Sequence, residues 1–362
     1  MVQVHLSFAS KTNISEMKKS LKEISEKIQK LSRDDYNELM ALLASISKEE
    51  KEESTYDFVL EVKSSEITRC PYCGKTHIVR NGHRKDGVQK FMCMDCRRSF
   101  VPTTNTIFSY SHKPLSVWKS YINEMISRNG LTESSRNCDM NIKTAFLWRH
   151  KILTSLCQME DSVKLEGISE ADETFFALSF KGNRRAFSDG EANRLPRKRG
   201  GGVHQRGLSK EQVCVPCAVD RYHKSVSKIA SLGACSTEDL KRTLGNRFAE
   251  GATICSDGNS IYKGFADEYG IDLVQIKGGK KGFGLFHIQH LNSYHSFLKD
   301  FIRSFRGVST KYLNGYLAWN NFINYAKEVR QEKMNILKVW LVRCGRHVTG
   351  KSVYSMQSIP CF

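Results

Sequence analysis

The sequence contains no apolar run long enough to span a membrane. Its opening residues, "MVQVHLSFASKTNISEMKK", also lack the order of regions found in a secretory signal. These absences set the expectation of a cytoplasmic protein without a membrane partner, and they argue against a disulfide framework for the 12 cysteines. Internal repeats are missing too, so the chain is not a repeat array. Acidic residues are scarce relative to basic ones: 38 Asp and Glu stand against 56 Lys and Arg, a net charge of +18. That excess goes beyond what solubility requires and points to a polyanionic partner, most commonly nucleic acid. Hydrophobic residues make up 40% and aromatics 10% of the 362 positions, which excludes a disordered chain and leaves room for two or three domains.

Along the chain, residues 1–60 read as a helical N-terminal arm. "NISE" has the shape of a capping box, and Met17, Leu21, Ile24, Ile28 and Leu31 follow a 4-3-4-3 spacing. The charged run "SKEEKEES" reads as a linker. Residues 61–105 carry a cysteine module, residues 110–158 a helical segment, and residues 159–330 an α/β pattern of strands mixed with helices. The α/β region is interrupted by an insertion, 181–211, in which residues 181–210 hold nine Lys or Arg, two acids and six glycines. It reads as a mobile basic loop. The tail, 331–362, has no assignment.

The cysteine module "CPYCGKTHIVRNGHRKDGVQKFMCMDC" places Cys70 and Cys73 in one CxxC hook and Cys93 and Cys96 in another, nineteen residues later. Two such hooks can surround one tetrahedral ion with four thiolates, the signature of a structural zinc site in a zinc ribbon. A ribbon this small folds because of its metal. Arg80, Arg84, Lys85, Lys90, Arg97 and Arg98 make it basic, which favours nucleic acid over protein as its partner. A further CxxC, Cys214 to Cys217, lies inside the apolar run "QVCVPCAVD" and reads as a buried strand.

"LTESSRNCDMNIKTAFLWRHKIL" has a helix–break–helix shape, with the break at Asp139-Met140-Asn141 and Asn141 placed to cap the second helix. Ala145, Trp148 and Ile152 share an apolar face, which leaves Lys143, Thr144 and Arg149 to meet DNA as a helix-turn-helix would, or to decorate a plain three-helix unit.

Three stretches further on carry carboxylates and an amide. In "LEGISEADETFFALSF", strand alternation puts Glu170, Asp172 and Thr174 on one face and Glu173 on the other. Two carboxylates on one face of such a strand are costly unless they are paired or bound to metal. In "ATICSDGNSIYKGF", Asp257 ends a short apolar run, where open α/β sheets place their sites. In "FHIQHLNSYHSFLKDF", Asn292 and Lys299 lie seven residues apart, roughly 20° from each other on a helix. Leu291, Tyr294, Leu298, Phe301 and Phe305 fill the adjacent buried stripe. Strand Asp, strand-end Asp and helix Asn follow the order of a ribonuclease H-like nuclease core, which holds two hard divalent ions, magnesium or manganese. Lys299 is then placed to meet a phosphate.

With "EADETFF", "RKRGG", "SDGNSIY" and "HLNSYHSFLKDFIRSFRGVSTKYLNGYLAW" in this order behind the cysteine module, the chain resembles bacterial insertion-sequence transposases of the DDE class. The resemblance is to the ISXO-like subgroup, whose third acid is Asn with Lys seven residues on, and it covers roughly residues 65–325. It implies a ribonuclease H-like catalytic core preceded by a zinc ribbon and a helix-turn-helix. It also implies binding to terminal inverted repeats, metal-dependent strand cleavage, and transfer of the 3′ hydroxyl into double-stranded target DNA by a homo-oligomer at the nucleoid. By position, Asp172, Asp257 and Asn292 form the metal-binding catalytic set with Lys299 accessory; Glu173 also matches, but alternation turns it from the metal face, which leaves Glu170 as the backup carboxylate. Arg184, Arg185, Arg197, Lys198 and Arg199 of the insertion would hold DNA. The rival expectation is a non-enzymatic DNA-binding protein, either a regulator or an inactive relic.

Overall fold

A computed structural model describes residues 67–357 apart from 86, 193, 198–202, 204–206, 277–281, 283, 325–329 and 344–347, together with Ser32 and Glu38. The helical arm expected over 1–60 and the basic pair Lys198 and Arg199 fall outside the described residues, Ser32 and Glu38 aside. The described residues from Ile67 onward belong to one compact unit. Among the described residues no helix is long and apolar enough to cross a membrane.

The cysteine module folds as a three-stranded antiparallel sheet of β1 (Ile78–His83), β2 (Gln89–Cys93) and β3 (Ser99–Phe100). Its core is small: Cys70, Cys93 and Phe100, with Ile67, Ile78 and Phe91 packed around them. Both CxxC hooks close in the same way. The N–H of the residue after each second cysteine returns to the carbonyl of the first, Gly74 to Cys70 and Arg97 to Cys93, at 2.9 Å in each case. Both closing residues are left-handed, with φ of 73° at Gly74 and 58° at Arg97. Gly74 adopts this conformation without strain, whereas Arg97 carries a Cβ into it.

Three helices follow: α1 (Leu115–Ile126), α2 (Leu131–Asn137) and α3 (Ile142–Glu160). As expected, Asn141 caps α3, its side chain accepting the Lys143 N–H at 2.8 Å. Trp148 is core: its ring stacks on Trp118 with centroids 3.6 Å apart.

A six-stranded sheet forms the centre of the α/β region, built from β4 (Ile168–Ala177), β5 (Gln212–Asp220), β6 (Ser225–Ser227), β7 (Ser231–Leu232), β8 (Thr253–Asp257) and β9 (Asp272–Ile276). The order is β6-β5-β4-β8-β9, with β7 also on β5. β4, β5 and β6 pair antiparallel, whereas β8 joins β4, and β9 joins β8, in parallel. The parallel pairs require crossovers, supplied between β8 and β9 by helix α6 (Ile261–Tyr269). A short helix, α4 (Arg185–Ser188), lies in the basic insertion, and α5 (Thr237–Leu244) precedes β8. Along β5, Cys214 and Cys217 are fully buried, as the apolar run implied.

One face of the sheet is closed by α5 and α6, whose Leu240, Leu244, Tyr262 and Phe265 meet Ala171, Ala218 and Ile254. α7 (Gln289–Ser304) packs on β4 and β5, and α8 (Thr310–Asn324) packs on β6 and along α3. α8 and α3 cross closely at Gly315, where a Cβ would fall 2.9 Å from the Leu153 Cβ. The tail left unassigned from sequence contains α9 (Arg330–Arg343) and α10 (Gly350–Tyr354). Both return to α3: the Trp340 indole donates to the Ser155 carbonyl at 2.8 Å, and Tyr354 stacks on Phe146.

Candidate active site and zinc centre

β4 and β8 run parallel with Ala171 opposite Ser256, so the next residues along each strand, Asp172 and Asp257, stand side by side. Neighbouring strands are about 4.8 Å apart, which brings two carboxylates from distant parts of the chain together at the middle of the sheet. Each is oriented locally. Asp172 accepts the N–H of Glu173 at 2.8 Å, and Asp257 accepts the N–H of Asn259 at 3.0 Å in an Asx turn. The Gln275 amide donates to the Asn259 carbonyl at 2.8 Å and steadies that turn from β9.

Burial, against the Glu173 N–H, and then the charge of Asp257, against Lys299, together hold the Asp172 carboxyl up at about 6. Two partly desolvated like charges, side by side, are poorly stable as they stand and become favourable beside a cation. Hard oxygen donors of this kind suit magnesium or manganese, so the residues fit the ion that the sequence implied.

The helix α7 packs on β4 on the face that carries Glu170 and Asp172. Leu291, Tyr294, Leu298 and Phe301 are buried, as its periodicity indicated, whereas Phe305 is the half-buried C-cap residue; Asn292 and Lys299 are exposed. Lys299 is near enough to influence Asp172, and it also acts on His295, whose imidazole is held down at about 4 by burial and then by that lysine. Glu173 faces the other side, as alternation required. There it is buried toward Tyr262 and Asn259, and burial lifts its carboxyl to about 7.

Glu170 does not serve as a reserve carboxylate. It shares the face of Asp172 but is only 1% exposed, and it is already occupied. Its Oε2 accepts the Leu291 N–H at 2.9 Å, while its Oε1 meets the Arg221 guanidinium, His290 at 2.9 Å and His287 at 3.2 Å. Sequence reasoning missed these partners because they come from β5's end and from the approach to α7, and only strand pairing makes them neighbours.

Two DNA contacts expected from sequence are also corrected. Arg149 is 0% exposed; it donates to the Asn129 carbonyl at 2.8 Å and lies over the rings of Trp319 and Phe305. α3 is covered on this side by α8, which the periodicity of α3 alone does not reveal. Arg197 is paired with Glu211 at 2.8 Å and also donates to the Leu178 carbonyl, so its charge is spent internally. Lys143, Arg184 and Arg185 are exposed, and Thr144 is half-buried at the start of α3. Lys181 anchors the insertion, its Nζ donating to the carbonyls of Phe305, Arg306 and Gly307 just past the end of α7.

In the ribbon, Cys70, Cys73, Cys93 and Cys96 converge. Cys70 and Cys96 sulfurs are 3.7 Å apart, and those of Cys73 and Cys93 are 3.6 Å apart. Sulfurs at the corners of a tetrahedron with zinc bonds of about 2.3 Å are separated by about 3.8 Å, so the cluster has the dimensions of a zinc site.

Residues 164–322, the span that holds the sheet, the paired aspartates and α7, match the family model of the ISXO2-like transposase domain. Over this span the chain is thus similar to transposases of the ISXO2-like group of insertion sequences. It is also 25% identical, over 252 residues, to an uncharacterized protein in transposable element ISH50 of Halobacterium salinarum, an alignment covering 68% of this chain and 82% of that protein.

Proposed function

We propose that the chain is a DNA transposase that binds the ends of its element, cuts them in a metal-dependent reaction, and joins the freed 3′ hydroxyl to target DNA. The observation that carries this reading is the register of β4 and β8, which sets Asp172 beside Asp257. The order of antiparallel and parallel strands supports a ribonuclease H-like core around them. Asp172 and Asp257, with the Asn292 amide oxygen as a neutral third donor, would hold magnesium or manganese. When bound, such ions supply electrophilic stabilisation at the phosphodiester. Lys299 supplies a fixed positive charge beside Asp172, suited to a non-bridging phosphate oxygen.

The zinc ribbon and the α2–α3 pair, a helix-turn-helix in outline, recognise the element's terminal inverted repeats. Lys143 and Thr144 point the start of α3 toward DNA. Arg184 and Arg185, with Lys198 and Arg199, hold the backbone of the bound duplex from the basic insertion. Two ends are processed together by a homo-oligomer acting in the cytoplasm at the nucleoid.

The test is incubation of the purified protein with a labelled fragment carrying the element's end, with and without magnesium or manganese, beside Asp257→Ala. Metal-dependent cleavage that the variant lacks, followed by a joined donor–target product, is the expected result. Cleavage without joining would reduce the protein to a nuclease. Tight binding without cleavage in either metal would make it a DNA-binding regulator or relic.

A further inference from the structure

The helix that carries Asn292 and Lys299 has only a long local cap, the Gln289 N–H donating to the His287 ring at 3.4 Å. Its N-cap residue, Ile288, makes no side-chain cap hydrogen bond, and its first turn contains no acidic residue. Helix N-termini leave backbone N–H groups unpaired and attract negative charge. Here the acceptor arrives from the sheet: Glu170 Oε2 takes the Leu291 N–H at 2.9 Å. Leu291 is the residue before Asn292, and Glu170 lies two residues before Asp172 on the same face of β4. Neighbours on one strand face are about 6.6 Å apart. One buried carboxylate therefore ties the strand of the first metal-binding residue to the turn of the third.

The other oxygen of Glu170 completes the tie. Arg221, which follows the last residue of β5, contacts Glu170 Oε1 and the His290 ring through Nη1, and donates through Nη2 to the Leu285 carbonyl at 2.7 Å. His290 and His287 close on the same carboxylate oxygen at 2.9 and 3.2 Å. The segment 285–291 is thus clamped to β4 and β5 at the Leu285 carbonyl, its histidine side chains and the Leu291 N–H of the first helical turn. Glu170, His287 and His290 also have the spacing of a metal site. The guanidinium, however, already supplies the positive charge at both the carboxylate and His290, so a second cation there would be repelled.

We propose that Glu170 is a positioning residue that sets Asn292 over the Asp172–Asp257 pair, acting through the Leu291 N–H and braced by Arg221. This rests on the transposase reading of those three residues. Outer partners of metal ligands typically contribute about 10- to 100-fold to metal affinity or activity.

The test is titration of the full-length protein with Mn2+, followed by the EPR signal of the free ion, in wild type, Glu170→Gln, Asn292→Ala and the double variant. Metal-dependent cleavage and binding to the DNA end are measured in parallel. Glu170→Gln is expected to weaken Mn2+ binding about 10-fold and to slow cleavage, with DNA-end affinity within about 2-fold of wild type. On the Asn292→Ala background, the same change is expected to alter Mn2+ binding by less than about 2-fold, because the positioning residue has nothing left to position.

Equal losses on both backgrounds would overturn the proposal, and so would wild-type Mn2+ binding in Glu170→Gln. Loss of a tightly bound transition metal in Glu170→Gln, with the ribbon's zinc retained, would overturn it in favour of a metal site at the histidines. His290→Ala, at the exposed edge of the cluster, serves if Glu170→Gln fails to fold. It should give a smaller Mn2+ defect that likewise vanishes on Asn292→Ala, and an undiminished defect would count against the proposal. The underlying reading fails separately, if Asp172→Ala and Asp257→Ala both bind Mn2+ and cleave as wild type does.

Discussion

Arg149 and Lys143 lie on the same helix and look equivalent in the sequence, yet they do opposite things. Lys143 is exposed at the start of α3, whereas Arg149 is enclosed by Trp319, Phe305 and the Asn129 carbonyl. Arg149→Ala should therefore destabilise the fold by about 2–4 kcal/mol, through lost packing and a stranded carbonyl. Lys143→Ala should leave the urea midpoint unchanged and weaken DNA binding; reversal of these outcomes would return Arg149 to the DNA surface. Glu160, at the end of α3, provides a pH signature. Burial pushes its carboxyl from the ordinary 4.5 up to about 7, against hydrogen bonds from the Ser227 N–H and the Asn321 amide. The folded protein thus holds this proton more tightly than the unfolded chain. The associated stability is fully present below pH 4.5 and is lost as pH rises through about 7, at most about 3 kcal/mol for this group. Glu160→Gln keeps an acceptor for both donors. The prediction is that urea midpoints measured from pH 5 to 8 fall less in the variant than in wild type.

At the scale of elements, what was legible in the sequence was whatever a segment encodes by itself. The cap at Asn141, the buried stripe of α7, the alternation of β4 and the two cysteine hooks all follow from local spacing, and each has its expected local form. What was not legible depends on pairing between segments. Asp172 and Asp257 could be nominated separately, but their adjacency comes from the β4–β8 register. Glu170 was misjudged because its partners Arg221 and Leu291 lie 51 and 121 residues away. Arg149 was misjudged because α3 is packed on more than one side. The ribbon is the element most dependent on one interaction, since its core is limited to Cys70, Cys93, Phe100 and a few half-buried neighbours. So little apolar surface offers little against the entropy of ordering the segment, and a zinc ion held by the four thiolates would supply the difference. Cys70→Ser, or removal of zinc by a chelator, is expected to unfold residues 67–100 selectively and to reduce DNA-end affinity. The helices and main sheet should persist. Hydrogen exchange resolves the two regions, and a ribbon that stays protected without metal would contradict the assignment.

For the molecule as a whole, the net charge of +18 overstates the charge available to DNA. Several guanidinium groups are committed internally: Arg149 to the aromatic cage, Arg197 to Glu211, Arg221 to Glu170, and Arg247 to Asp161. These groups hold the fold and the approach to α7 together, and their removal should alter stability before it alters association. The exposed Arg184 and Arg185 at α4 form no ion pair among the described residues. Salt dependence separates the two populations, because each phosphate contact neutralised by a cation releases counterions and contributes about 0.9 to the slope of log affinity against log salt. Arg184→Ala with Arg185→Ala is expected to lower the magnitude of that slope by close to two contacts' worth, about 1.8. Arg197→Ala should leave the slope unchanged while lowering thermal stability, since what it loses is the Glu211 pair and the Leu178 carbonyl. Fluorescence anisotropy with an element-end duplex, across a series of salt concentrations, measures both slopes, and a thermal melt measures the stability. If Arg197→Ala lowered the slope as much per residue as the Arg184 and Arg185 changes, its ion pair would have to open on DNA, and the insertion would be rearranged by binding instead of presenting a ready-made surface.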